Sequence, residues 1–207
     1  MKAINIYNFD TSNVNDMSFM FNYCKSLTSI DVSHFNTMNV KNMAYMLSGL
    51  ELVKTINVSN FNTSNVNDIS GLFNSCKSLI LIELSNFDTK NVENMGSMFY
   101  SCSSLNSIDL SNFNTTNVKN MASMFDSCSS LKSIDLSNFK TTNVNSFQYL
   151  FWSASSIQYI DISSFTTNLT SFSLFGGQSK KGLIKVRKEF YDKIIIKLDN
   201  WIIQYVN

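Results

Sequence analysis

The chain has no proline, one histidine and no apolar run approaching the roughly 18 to 20 residues that a membrane-spanning helix requires. These shortages exclude whole classes. No transmembrane helix is expected, and the opening Met1-Lys2-Ala3-Ile4-Asn5 meets polar residues too early for the apolar stretch of a secretory leader. The 207-residue sequence therefore reads as soluble, either acting inside a cell or forming a piece of a longer secreted protein. Charge is nearly balanced at +1: residues 1–179 hold 9 Lys against 12 acids, giving −3, and residues 180–207 hold 7 Lys or Arg against 3 acids, giving +4. So mild a basic tail does not predict nucleic-acid binding. The missing proline, beside abundant Asn, Ser, Ile and Phe, is a composition bias rather than a mark of disorder, because the apolar residues keep strict phase.

That phase is a repeat. Ile4, Ile30, Ile56, Ile82, Ile108, Ile134 and Ile160 stand 26 residues apart, and a fixed period of roughly 20 to 50 residues predicts stacked units that bury their apolar faces against one another. In the unit beginning at Leu105, Ile108 and Leu110 alternate with Ser107, Asp109 and Ser111, the period of a strand with one face buried. Val118, Met121, Met124, Phe125 and Cys128 then follow a spacing that places them on one side of a short helix. The expected fold class is α/β: about seven 26-residue coils with a parallel sheet on one face and short helices on the other. Residues 1–177 would form the stack, with an incomplete first coil and a last coil shortened before Gly176-Gly177, and residues 178–207 would close it with a capping strand and helix. Ile4 and Ile6 have almost nothing before them to cover their edge, which predicts a truncated stack or head-to-head self-association.

Several polar columns run unbroken. Asn13, Asn39, Asn65, Asn91, Asn117 and Asn143 precede each expected helix and are expected to cap it, at about 1 kcal/mol per turn. The alternative is a ladder of Asn side chains bonding to a neighbouring coil's backbone. Thr11 to Thr167 form a second column, and Phe9 to Phe165 a third that would make an apolar spine.

The pattern Leu-x-x-Ile-Asp-Leu-Ser-x-Phe-x-Thr-x-Asn-Val-x-x-Met-x-x-Met-Phe-x-x-Cys-x-Ser resembles the 26-residue variety of BspA-type leucine-rich repeat, found in surface proteins of bacteria and some protists, and covers residues 4 to about 176. Ile184-Lys185-Val186 resembles that family's last strand, Glu189 to Lys197 its short helix and Trp201 an apolar plug, with Arg187 where the family usually has proline. The resemblance implies a right-handed solenoid and a role in adhesion or protein binding, at a cell surface or after secretion. Handedness also follows from the general rule for parallel crossovers.

Little in the columns suggests chemistry. Cys24, Cys76, Cys102 and Cys128 share a place with Leu50 and Ala154, so buried free thiols are expected. A disulfide between adjacent coils is the alternative; zinc would need four ligands converging on a point, which a column spreads apart. The strand side is expected to space the units near 5 Å, with the helical side splayed wider. Met17, Met43, Met95 and Met121 exchange with Ile69 and Phe147, as core residues do. His34 stands where Asn60, Asn86, Asn112 and Asn138 stand later and reads as a surface substitution. No catalytic residue, cofactor or metal is therefore expected. The usable surface is the outer face of the sheet, with Asp31, Glu83, Asp109, Asp135 and Asp161 in one column and Leu81 and Tyr159 in its variable neighbour. Each carboxylate either accepts local hydrogen bonds or joins an acidic strip for a basic protein surface or divalent cations. Tyr100 and Trp152, on the other side, are expected to be exposed. The functional expectation is a non-enzymatic module that binds a protein or host-surface ligand; the alternative is an assembly unit that self-associates through its first coil.

Overall fold

The computed structural model describes residues 4–178, 181–195 and 197–206. Its units are bonded most regularly on the side where the sequence predicts helix. The N–H groups of Met17, Phe19, Phe21 and Tyr23 donate to the carbonyls of Asn42, Ala44, Met46 and Ser48 at 2.8–2.9 Å. The same pattern recurs from Met43, Tyr45, Leu47 and Gly49 to Asp68, Ser70, Leu72 and Asn74, and onward to the unit of Met121 to Ser127. Parallel bridges join Asp16, Asn42, Asp68, Asn94, Asn120 and Ser146 in one line. Between these bonds the chain closes tight turns, such as Met20 N–H to Met17, Asn22 to Phe19 and Cys24 to Phe21.

The expected helices are therefore absent from the repeats. Among the described residues the α-helix is α1 (Lys188–Tyr191), outside them. The cause lies in two columns of left-handed residues: Phe19, Tyr45, Gly71, Ser97, Ser123 and Tyr149 in one, and Tyr23, Gly49, Ser75, Ser101, Ser127 and Ser153 in the other, all with φ of +54° to +72°. A helix needs every φ negative, so a left-handed residue at each fourth place ends it. Val118, Met121, Met124, Phe125 and Cys128 still point inward and are buried, because successive turns bring them to the same face. Behind them Phe73, Phe99, Phe125, Phe151 and Phe175 stack ring on ring at 5.7–5.8 Å. The Phe35 to Phe165 spine is buried, although its first member, Phe9, is exposed.

The sheet is parallel, as expected, but short. It contains β1 (Ser133–Asp135), β2 (Tyr159–Ile162), β3 (Leu183–Arg187) and β4 (Ile202–Val206) in the order β1-β2-β3-β4. Ile134 faces Ile160, Ile160 faces Ile184 and Ile184 faces Ile203, so the isoleucine column continues into the closing segment. The segments around Ile30, Ile56, Ile82 and Ile108 form no strand, and backbone bonds between their units on this side are confined to corners such as Ile80 N–H to Lys54 at 3.1 Å. The continuous ladder thus lies on the turn side. The acidic column does not set the sheet's limit, because β1 and β2 pair with Asp135 opposite Asp161; one strand further on, Lys185 in β3 faces Asp161 with their charged groups 3.6 Å apart.

The segment after the repeats carries a strand and a helix in the expected order, with two differences. The expected strand at Ile184 to Val186 lies within β3, but the helix ends at Tyr191 rather than Lys197 (Ile196 lies outside the described residues), and β4 adds a further strand. Trp201 is buried, as a plug should be. Arg187 has φ −70°, the value a proline would hold. The shortened unit is also visible: Ser153 N–H reaches the carbonyl of Gly176 at 2.6 Å, and a Cβ on Gly176 would lie 2.5 Å from the Trp152 ring covering it.

Candidate binding surface

Ladders between units decide which polar columns are committed to the scaffold. Thr89 Oγ1 donates to the carbonyl of Asn114 at 3.0 Å and accepts the N–H of that same residue at 2.8 Å. Thr11, Thr37, Thr63, Thr115 and Thr141 make the same reciprocal pair with the following unit. Asn39, Asn65, Asn91, Asn117 and Asn143 donate to carbonyls of the preceding unit at 2.7–2.8 Å. Their role is the ladder and not the expected cap, since there is no helix to cap. His34 is likewise no mere surface substitution. Its ring nitrogen lies 2.9 Å from the carbonyl of Ile6, where Asn86, Asn112 and Asn138 bond to the unit before them.

The acidic column is partly local structure. Asp31 accepts the N–H and hydroxyl of Ser33 at 3.0 and 2.6 Å, and Asp109 and Asp135 accept the N–H of Ser111 and Ser137 at 2.9 Å. The Ser33 hydroxyl holds the Asp31 carboxyl below its ordinary range, and the Ser111 backbone N–H does the same for Asp109. Asp31, Glu83, Asp109 and Asp135 are nevertheless exposed. Asp161 is not: it is 6 % exposed. Burial alone would push its carboxyl up, but the Ser163 hydroxyl and N–H, the Tyr159 hydroxyl and Lys185 together bring it below the ordinary range. Tyr159 is half-buried, donates to Asp161 at 3.1 Å and lies under the Lys185 ammonium at 5.6 Å, so both residues are engaged inside the protein.

The open part of the strand side leaves grooves between units. One, of about 280 Å³, runs between Leu81 to Ser85 and Ser107 to Asn112; its neighbour, of about 250 Å³, lies between Thr55 to Ser59 and Leu81 with Glu83. Leu81 belongs to both and is 47 % exposed. Two further apolar residues are exposed, its sequence neighbour Ile80 at 43 % and Leu52 of the second unit at 51 %, and neither is among the residues expected to bind. Their signal was available: Ile80 interrupts a column of Thr28, Lys54, Asn106, Lys132 and Gln158, and Leu52 one of Ser26, Ser78, Ser104, Ser130 and Ser156.

Elsewhere the columns are occupied internally. Cys76, Cys102 and Cys128 are buried free thiols whose sulfurs donate to the carbonyls of Leu47, Phe73 and Phe99 at 3.1–3.2 Å; Cys24 is free and half-buried. Tyr100 and Trp152 are half-buried rather than exposed, and Trp152 meets Tyr149 edge-on at 5.1 Å. Among the described residues no cluster of three or more His, Cys, Asp or Glu could hold a metal ion, and no helix is long and apolar enough to cross a membrane.

Equal-length units joined by parallel ladders, with an open and variable strand side, define a repeat protein. The chain belongs to the family described as "Mycoplasma protein of unknown function, DUF285", which matches residues 1–81 and 72–181. No curated protein matches it.

Proposed function

We propose that the chain is a non-enzymatic binding module: a right-handed BspA-type solenoid of about seven 26-residue coils, closed by residues 178–207, that engages a protein or host-surface ligand along its strand side at a cell surface or after secretion. The observation that carries this reading is the groove pair around Leu81. There an exposed apolar side chain is flanked by Glu83 and Asp109, and the scaffold ladders use none of the three side chains to join units. Exposed apolar residues rimmed by charge are the usual composition of a protein-binding patch. Asp31 and Asp135 extend the acidic rim and favour a basic ligand surface.

The test uses a variant built from residues that other units already carry in the same columns: Leu81→Ser as at Ser107, with Glu83→Asn and Asp109→Asn as at Asn57. Binding of the fluorescently labelled chain to cultured epithelial cells should fall about tenfold, the effect of losing one anchor and its rim, while the melting temperature is unchanged. Equal cell binding by the triple variant would refute the reading.

A further inference from the structure

The column of Leu81 continues through Ser107 and Ser133 to Tyr159, and that of Glu83 through Asp109 and Asp135 to Asp161. From Ser29 and Asp31 onward, two units alone combine a large apolar or aromatic residue with an acid two places on: Leu81 with Glu83, and Tyr159 with Asp161. The second pair is already occupied. Lys185 in β3 faces Asp161 in β2 and holds its ammonium 3.6 Å from that carboxylate and 5.6 Å from the centre of the Tyr159 ring. The first pair has no such cation. Asp31, Asn57, Asp109, Asp135 and Asp161 each turn a side-chain oxygen back onto the N–H of the serine two places on. Glu83 is one methylene longer and makes no such bond; its carboxylate has no partner among the described residues. The groove of about 280 Å³ beside it reaches inward to Ile108, which is half-buried where Ile82, Ile134 and Ile160 are buried. Leu81 to Leu84 and Ser107 to Leu110 exchange no backbone hydrogen bond, so the groove stays open along the chain direction.

Building on the binding role above, we propose that this groove takes an extended segment of a partner protein in which two apolar residues precede a lysine or arginine. The apolar pair covers Leu81 and Ile108, and the basic head meets the carboxylates of Glu83 and Asp109. β3 is the template. Its Leu183, Ile184 and Lys185 face Tyr159, Ile160 and Asp161 in parallel register, the column positions that Leu81, Ile82 and Glu83 hold three units earlier. β3 itself is not the occupant, since it is held between β2 and β4. A bare divalent cation fits poorly: it needs several oxygens converging on a point, and one Asp109 oxygen is already held by the Ser111 N–H. An anionic ligand is opposed by both acids. An extended polypeptide suits the groove further because its own N–H and carbonyl groups can bond along segments that leave theirs unpaired.

The experiment titrates the isotope-labelled full chain with a synthetic peptide of sequence Gly182 to Val186, whose one charged side chain is Lys185, and follows amide chemical shifts at low salt. Saturable shifts centred on Leu81 to Leu84 and Ser107 to Leu110 are expected. Lys185→Gln in the peptide and Glu83→Gln in the protein should each weaken binding about fivefold, with little added loss when the two are combined. Leu81→Tyr, which copies Tyr159, should preserve or tighten it. No saturable shifts, binding indifferent to both glutamine changes, or shifts confined to β2, β3 and β4 would each overturn the proposal. Cell binding separates it from the broader reading. Loss of cell binding in the triple variant without any peptide binding would overturn the groove's assigned chemistry and leave the binding module standing. Peptide binding that Glu83→Gln weakens, with cell binding unchanged in the triple variant, would uphold that chemistry and refute the cellular role.

Discussion

Replacing Gly71 with alanine distinguishes a run of turns from a helix by the sign of one measurement. If the segment from Val66 to Cys76 were helical, Gly71 would sit at its middle, and alanine would stabilise the protein by about 1 kcal/mol. In the structure Gly71 has φ +59°, and a Cβ there would lie 2.3 Å from the Tyr45 ring. The left-handed backbone costs an alanine roughly 1–2 kcal/mol. The Tyr45 ring must also swing away, giving up its stacking on Phe19 at 5.3 Å and an interplanar angle of 2°, which such pairs value at roughly 0.5–1.5 kcal/mol. The sum is about 2–3 kcal/mol, or a fall in melting temperature of roughly 5–10 °C for a chain of this length. A double-mutant cycle separates the two parts: on a Tyr45→Ser background, which copies Ser97 and Ser123 of the same column, only the backbone part should remain, and the coupling should be about 1 kcal/mol. Differential scanning calorimetry with urea titration reads both. A rise in melting temperature for Gly71→Ala would refute the turn geometry, and an undiminished loss in the Tyr45→Ser background would refute the ring contact.

Three further outcomes are expected. Thr89→Val strands the part-buried N–H and carbonyl partners on Asn114 and should lower stability by about 1–2 kcal/mol in urea titration; a loss below about 0.5 kcal/mol would mean that the reciprocal pair contributes little. Burial pushes the thiols of Cys76 and Cys128 up to about 12 and raises that of Cys102 as well, so Ellman's reagent at pH 8 should label the half-buried Cys24 first and all four only in denaturant. Fewer than four thiols in denaturant without reductant would reveal a disulfide. Asp126 has its carboxyl raised, chiefly by burial against one helping bond from Ser127. The folded state then holds this proton more tightly than the unfolded one, so the contribution favours folding at low pH and is lost as pH rises past the ordinary carboxylate value. Asp126→Asn should accordingly raise the melting temperature at pH 7 and leave it unchanged at pH 3.

The sequence made the period and the core columns legible because burial repeats whatever the backbone does. Met121, Met124 and Phe125 face inward in a helix and in a run of turns alike, so their spacing could not separate the two. The discriminating signal was Gly49 and Gly71, set in the middle of supposed helices in columns otherwise holding Ser, and it was masked by Phe19, Tyr23, Tyr45 and Tyr149, aromatic residues that rarely accept a positive φ. The sheet's extent was hidden for a different reason. Two of its four strands, β3 and β4, lie outside the repeats and pair only after the chain has folded back. Tyr159 and Asp161 belong to columns that are exposed in earlier units, but here they lie in β2 with β1 on one side and β3 on the other, and they engage Lys185.

A repeated scaffold separates the columns that hold it together from those free to vary. Where a side chain bridges units, as Thr and Asn do here, the donor or acceptor it offers is dictated by the neighbour, and the residue type scarcely changes from unit to unit: Thr11 to Thr141 are all threonine and Asn39 to Asn143 all asparagine. Where the side chain meets solvent, nothing in the stack selects it, and Ser29, Thr55, Leu81, Ser107 and Ser133 include three residue types. A single apolar departure in such a column stabilises no contact between units and exposes surface that water disfavours. Leu52 in the second unit and Ile80 and Leu81 in the fourth all make such a departure, and no contact within the scaffold ladders offsets the exposure. A ligand seated on the strand side of those units, as proposed above, would offset that exposure.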